Sequence, residues 1–455
     1  MNLAIYDTKA RQVSEVPSVN GTVHMYCCGP TVYRDAHVGN LRTFLLSDLI
    51  ARTLVLTGLK VKLIQNITDV GHMAENLEGE DKVLEQAKAE STSPFAIARK
   101  YEERFHKNLG RLNINPADGY PRASETMDLI IESISDLIEK NAAYVGTDGS
   151  VYFDANSLPS YGAISGNRLD ALKPGHRYEY TDDGGKRFHA DWALWKSAGK
   201  RTEMIWDSPW GPGFPGWHIE CTAMSLKYLD KRIDLHVGGI DLRFPHHENE
   251  RAQSNSIIGS EAVGIWVHGE HLLFEGRKMS KSAGNVVLLE DVIARGLDPL
   301  SLRFALLENR YRSQMDLTWA SLEAANATLR RFREAMAKWG DLEIELEDAE
   351  IFNALTSDLD TPRAMQRIRN VEKDNDLAPE NKRAIFIYAD RVLGLDLARK
   401  LEIAPLPSDL QEILRARDIA RKSKDWVRSD ELRKELEGRG LVIKDKTDGQ
   451  DWEWA

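Results

Sequence analysis

Residues 22–67 constrain the fold more than any other stretch. Residues 22–28 (TVHMYCC) form a short apolar, β-prone run bounded by Gly21 and Gly29, and residues 59–67 form a second. Between them, Leu41, Phe44, Leu45, Leu49, Ile50 and Leu54 recur at helical spacing from Asn40 to about Leu56. Strand, glycine-containing turn, helix and strand make the opening unit of a doubly wound, Rossmann-like parallel sheet. The fold class is therefore α/β, with ligands expected at the carboxyl ends of the strands.

Amphipathic helices follow over 93–112 and 124–141. Between about 142 and 217 the texture changes to short strands and turns (TDGSVYF, TDDGGKRF, DSPWGPGFPGW), an insertion that interrupts the sheet. The sheet pattern resumes with a helix over 218–229, a strand at 233–237 (IDLHV), a helix over 246–258 and a strand at 264–268 (GIWVH). From about 318, strand signals almost vanish and three or four amphipathic helices run to Leu401. Pro405 and Pro407 mark a linker before two last helices and a strand-like LVIKD. A chain of 455 residues is too long for one core. Three cysteines, two of them adjacent, cannot build a disulfide framework, which points to a reducing, cytoplasmic setting. The start, MNLAIYDTKARQ, carries no signal-peptide run, and no apolar stretch reaches membrane-spanning length. Sixty basic against 71 acidic residues argue against a nucleic-acid coat but leave room for local patches that grip RNA.

Three constellations carry chemistry. In the first, His37-Val-Gly-Asn40, a helix N-terminus offers unpaired N–H groups to an anion. Gly39 would let a nucleotide lie close to the backbone, and His37 and Asn40 could donate to phosphate oxygens. The second is Lys278-Met-Ser-Lys281-Ser282, in a polar, glycine-flanked loop. Two lysines three apart on a mobile loop can neutralise a triphosphate and follow its charge as pyrophosphate leaves. In the third, Cys221 lies in PGWHIECTAM, and FPHHENE supplies His246 and Glu250 one helical turn apart, while His247 shares its face with Arg251. With Cys28 these give two thiols, an imidazole and a carboxylate, the donor chemistry of zinc. Cys28 and Cys221 read equally well, taken singly, as small core residues. Cys27 and Cys28 point to opposite faces of a strand, so only one enters the site, and Cys27 is assigned to packing.

Together HVGN and KMSKS resemble the signature pair of class I aminoacyl-tRNA synthetases, with Asn40 in place of the commoner second histidine. CCGPTVY, NITDV, SPWGPGFPGWHIECTAM and DLHVGGIDLRFPHHENE occur in the order of the cysteinyl-tRNA synthetase family, and the resemblance runs from about residue 5 to the C-terminus. It implies ATP-dependent activation of L-cysteine to cysteinyl adenylate and transfer to tRNA(Cys). Charge in that reaction would be stabilised by His37, Asn40, Lys278 and Lys281, with Gly39 and Asp241 also on ATP and Mg2+ accompanying it. One Zn2+ on Cys28, Cys221, His246 and Glu250 is implied, with Cys28, Thr68, Trp217 and His236 around the amino acid. Zinc prefers thiolate, so it separates cysteine from nearly isosteric serine where shape alone gives only about 1–3 kcal/mol. Phe214 departs from the family, standing where relatives often carry a basic residue. The resemblance divides the chain into a first catalytic half (1–121), a connective insertion (122–215), a second catalytic half (216–275) and a KMSKS and stem-contact region (276–317). A helical tRNA-binding bundle (318–402) and a small anticodon-binding domain (405–455) complete a monomer. In that last domain Arg417, Arg421, Lys424 and Arg428 are expected along one helix face, with Trp426, Trp452 and Trp454 as base-stacking platforms. Two rivals remain: ligation of cysteine to an amino sugar by a relative lacking the tRNA-binding end, and a zinc-stabilised RNA-binding protein without catalysis.

Overall fold

The computed structural model of the protein describes residues 2–70, 81–171, 185–279, 284–342, 344–400, 406–446 and 449–454. They fall into two compact units, Met1–Arg399 and Lys400–Ala455.

The first unit is built on four parallel strands, β1 (Thr22–Cys27), β2 (Lys60–Gln65), β3 (Ile233–Gly239) and β4 (Val263–Gly269), in the order β4-β3-β1-β2. The chain leaves β1 for β2 on one side and returns as β3 on the other, so strand order reverses between β1 and β3. That is where an open α/β sheet leaves a crevice at its carboxyl edge. Cys28 follows β1 there, and Ile240 follows β3.

Period-two alternation divides β1 between two cores. Val23, Met25 and Cys27 pack with Leu41, Leu45 and Leu49 of α1 (Val38–Leu56), the helix joining β1 to β2. Tyr26 and Cys28 turn to the other face and pack with Cys221 and Trp266. That face is covered by α2 (Trp217–Tyr228) and α3 (His246–Ile258), which pack on each other. The adjacent cysteines are thereby separated by the sheet itself.

Residues 143–215 form a four-stranded antiparallel sheet of Ala143–Val145, Val151–Phe153, Trp192–Ser197 and Gly213–Pro215. Here Phe214 is buried beneath the Arg201 guanidinium, 4.0 Å from its ring centre, and Arg201 donates to the buried Asp81 carboxylate at 3.2 Å. A basic group is thus still at hand, delivered by Arg201 onto an aromatic face. Glu248 of α3 ties the same region down, accepting from the Ile164 and Ser165 N–H groups at 3.0 and 2.8 Å.

After β4 come β5 (Leu272–Phe274) and β6 (Met315–Leu317), paired in parallel, with Arg277–Lys278 antiparallel to β5. Four helices follow, Trp319–Lys338, Ala349–Thr356, Thr361–Lys373 and Pro379–Leu393. They are fastened to α1 through Arg303, whose fully buried guanidinium donates to Asp48 at 2.7 Å and to the Leu112 and Leu393 carbonyls.

The second unit holds helices Ser408–Lys422 and Trp426–Gly438 and a hairpin of Leu441–Lys446 with Gly449–Trp454, where the sequence suggested only the first strand. Its expected basic stripe is broken. The first helix ends at Lys422, and Lys424 turns the chain at φ 61°. Arg417 and Arg421 face inward, each 2.9 Å from Asp445 of the hairpin, and Arg428 pairs with Glu431 on the second helix. Trp426 is 59% exposed, whereas Trp452 packs against the core formed by Leu436, Leu441 and Ile443. The side chain of Trp454 lies outside the described residues.

Candidate functional site

A cleft of about 320 Å³ opens at the crevice predicted by strand order. Its lining brings together Cys28, His37, Gly39, Asn40, Trp217, Asp241 and Lys278 from four separate stretches of sequence. A second cavity, of about 470 Å³, lies along the other side of α1 among Arg52, Leu63, Pro116 and Tyr388, away from these groups. Lys281 lies outside the described residues. Thr68 is buried one layer back, its N–H donating to the Pro30 carbonyl at 3.1 Å and its hydroxyl accepting from Asn66 at 3.0 Å.

The helix end is organised by its own motif. His37 is the N-cap of α1: its Nδ1 accepts from the Gly39 and Asn40 N–H groups at 3.1 and 3.3 Å, and the Asn40 side-chain oxygen accepts from the His37 N–H at 3.3 Å. This is a capping box with histidine in the usual serine position. An Nδ1 that accepts two bonds leaves the ring proton on Nε2, free to donate. The ring is held well below the usual histidine value, at about 4, chiefly by burial, with Arg34 adding and Asp241 opposing. At neutral pH His37 is therefore an uncharged donor. Gly39 has a packing reason as well: a Cβ there would sit 3.1 Å from the Met279 methyl, so the two signature motifs touch through a missing side chain.

Across the cleft, Lys278 Nζ donates to Asp241 Oδ1 at 3.1 Å, and His271 Nδ1 lies 3.4 Å from Asp241 Oδ2. Beneath Cys28 is a fully buried polar cluster, and it offers two overlapping ligand sets. One is Cys28, Cys221, His246 and Glu250; the other is Cys28, His236, His247 and Glu250. His246 Nε2 is 2.9 Å from Glu250 Oε1, while His236 and His247 place Nε2 atoms 3.4 and 3.3 Å from Cys28 Sγ. The expectation that His247 faces away with Arg251 is corrected: residue 247 is also one turn from Glu250, and on α3 that direction prevails. Second contacts aim the rings. His246 and His218 meet through their Nδ1 atoms at 2.7 Å, and His247 Nδ1 meets His268 Nε2 at 2.9 Å. Trp217 covers His246 with ring centres 4.2 Å apart, and His236 stacks on Trp266 at 4.5 Å.

The cluster is electrostatically unsettled as it stands. Burial, with Cys221 and Glu250 beside it, pushes the Cys28 thiol up, and burial pushes the Glu250 carboxyl up. Cys221 is pulled the other way, first by its hydrogen bond with Cys28. Burial pushes His236 and His247 down, so both are neutral and able to ligate through nitrogen. Glu250 Oε2 is buried without a hydrogen bond. Soft donors, neutral imidazoles and an unsatisfied carboxylate oxygen together fit a divalent cation.

Comparison with known proteins gives the family. Residues 14–327 match the family of tRNA synthetases class I (C) catalytic domain, and residues 404–452 match the cysteinyl-tRNA ligase anticodon binding domain. A cysteine–tRNA ligase of Thermus thermophilus is 41% identical over 481 residues, covering 99% of each chain. Cysteine–tRNA ligase 1 of Burkholderia lata is 40% identical over 460 residues, covering 99% of this chain and 96% of the relative. Among solved structures, Mycobacterium tuberculosis methionyl-tRNA synthetase in complex with methionyl-adenylate shares the fold at TM-score 0.54 and 16% identity, over 82% of this chain and 90% of that one. A leucyl-tRNA synthetase of Agrobacterium radiobacter aligns at TM-score 0.58 and 12% identity, over 83% and 84%. The chain belongs to the cysteinyl-tRNA synthetase family of class I aminoacyl-tRNA synthetases.

Proposed function

We propose that this chain activates L-cysteine with ATP and transfers it to tRNA(Cys), and that it selects the amino acid with a zinc ion held by Cys28, Cys221, His246 and Glu250. The observation that carries the reading is the single cleft in which a capped helix end, a lysine parked on a carboxylate and a cysteine above a ligand cluster converge. Zinc bound there supplies a position that takes the substrate's sulfur as thiolate and leaves a hydroxyl a poor ligand.

The chain's own groups then hold the reactants. The positive end of α1, with the His37 Nε2–H, receives the phosphates of ATP, which Mg2+ accompanies. Lys278 leaves Asp241 for the incoming negative charge, and Lys281 follows the departing pyrophosphate. Asp241, once released, is free to accept from a ribose hydroxyl. With the thiol end anchored below Cys28 and the phosphates above α1, the substrate carboxylate lies between them for in-line attack on the α-phosphorus. Positioning and charge stabilisation supply the rate without a general base.

Thr68, Trp217 and His236 stay assigned to the amino-acid end, Trp217 through its contact with His246. The functional partition at residues 121, 215, 275, 317 and 402 is kept, with the bundle and the last domain on the tRNA. Trp426, exposed on the second unit, is kept as a stacking platform for an unpaired base. The match over 404–452 to an anticodon binding domain favours tRNA over an amino sugar as acceptor. The chain is assigned to the cytoplasm as a monomer; no helix among the described residues is long and apolar enough to cross a membrane, and the three cysteines are unpaired.

The test is cysteine-dependent ATP–pyrophosphate exchange without tRNA, followed by charging of a tRNA(Cys) transcript. We expect both in the parent chain, and exchange reduced by about 100-fold or more in Lys281→Ala. Near-parental exchange in that variant would remove Lys281 from the mechanism.

A further inference from the structure

One buried cation on α1 has no part in the account above. Arg42 lies two residues beyond Asn40 and is 5% exposed, and no carboxylate is within ion-pair distance of it among the described residues. Its guanidinium is bonded entirely to backbone. One terminal nitrogen donates to the Glu270 and His271 carbonyls at 2.7 and 2.9 Å, and the other to those of Arg310, Tyr311 and Ser313 at 3.1, 3.4 and 2.8 Å.

These carbonyls belong to two segments distant from α1 in sequence. Residues 270 and 271 form the turn from β4 to β5 and line the cleft, and the His271 ring faces Asp241, which holds Lys278. Residues 310–313 lead into β6, the partner of β5. Burying a guanidinium without a counter-charge is costly, and an apolar side chain would fill the same volume at less cost. What an arginine adds is a rigid planar fork that fixes several acceptors at once.

We infer that Arg42 is a positioning residue for adenylate formation, setting the gap between the helix end that carries His37 and Asn40 and the wall that carries His271, Asp241 and Lys278. The inference rests on the assignment of ATP to this cleft. Arg42 touches no reactant. Its loss therefore moves the two phosphate-binding walls relative to each other while leaving the thiol end, below Cys28, where it was. A misplacement of about 1 Å in such a site costs on the order of 100-fold in rate.

The experiment measures exchange kinetics, zinc content and thermal stability of full-length Arg42→Lys, with Arg333→Lys for comparison. Arg333 is also buried and also donates to carbonyls, those of Leu395 and Asp396, but away from the cleft. A lysine cannot span both segments. Arg42→Lys should lower kcat for exchange by about 50-fold or more per folded molecule, with KM for cysteine and zinc content unchanged. Arg333→Lys should lose stability yet keep the parental kcat. Should Arg42→Lys not fold, Tyr311→Phe cuts one of the two 2.6 Å bonds, the other from Arg312 Nε, that tie the 310–313 segment to Asp358, and should lower kcat by about fivefold, again with KM for cysteine unchanged. A kcat within about twofold of parent in whichever variant folds overturns the inference. A parent chain without cysteine-dependent exchange would overturn the assignment of the cleft instead, so the two failures are distinct.

Discussion

Cys28 and Glu250 belong to both ligand sets, whereas Cys221 and His246 belong to one and His236 and His247 to the other. Glu250→Gln removes the charge from both and should leave purified protein with well under one zinc per chain. Cys221→Ser should do the same, whereas His247→Asn should retain the metal and lose activity only through altered packing under Cys28. Retention by Cys221→Ser with loss in His247→Asn would move the ion to the histidine side. His37 gives a second residue-scale expectation. Its folded value of about 4 lies below the ordinary histidine value near 6.5, so the two states bind protons alike above 6.5. Below 6.5 the unfolded chain takes up a proton that the folded chain refuses, and stability falls as the pH drops toward 4. By pH 5 that amounts to about 2 kcal/mol. His37→Asn keeps an N-cap acceptor but does not titrate. Its urea midpoint should fall less between pH 7 and pH 5 than the parent's, and an identical fall would assign the acid sensitivity elsewhere.

At the scale of elements, α1 is held to the helix Pro299–Leu307 by Arg303 on Asp48, with both side chains fully buried. Arg303→Leu leaves Asp48 with Arg52 and the Asn115 N–H, and strips donors from two helix ends. It should cost about 3–5 kcal/mol in urea unfolding, and a loss below about 1 kcal/mol would show that the pair is dispensable. The elements themselves were largely legible in the sequence. The TVHMYCC strand, the α1 periodicity and the run HHENERAQSNSII fall on β1, α1 and α3 because apolar spacing and caps are local signals. The direction of His247 was not, since it depends on Gly238 of the neighbouring strand: a Cβ there would stand 2.5 Å from the His247 ring. Nor was the Arg42 network, because its partners are carbonyls, which every residue carries. The broken basic stripe was missed because the spacing of four cations gave no sign that Lys424 turns the chain. The hairpin partner GQDWEW hid its strand behind polar residues, with Trp452 the one tryptophan among its described side chains, packed on the core.

For the molecule as a whole, the two units divide the labour, so their variants should separate two assays. Trp426→Ala should raise KM for tRNA while leaving cysteine-dependent exchange at the parental level; a drop in exchange would contradict its place as a base platform. The cleft side answers to the metal. Discrimination of cysteine from serine is assigned to a zinc ion held by Cys28, Cys221, His246 and Glu250. Exchange with each amino acid before and after chelation, paired with metal analysis of the same samples, tests that assignment. One zinc per chain is expected, with loss of cysteine-dependent exchange in step with loss of zinc and recovery when zinc is returned. A metal-free protein that still activates cysteine and rejects serine would contradict it.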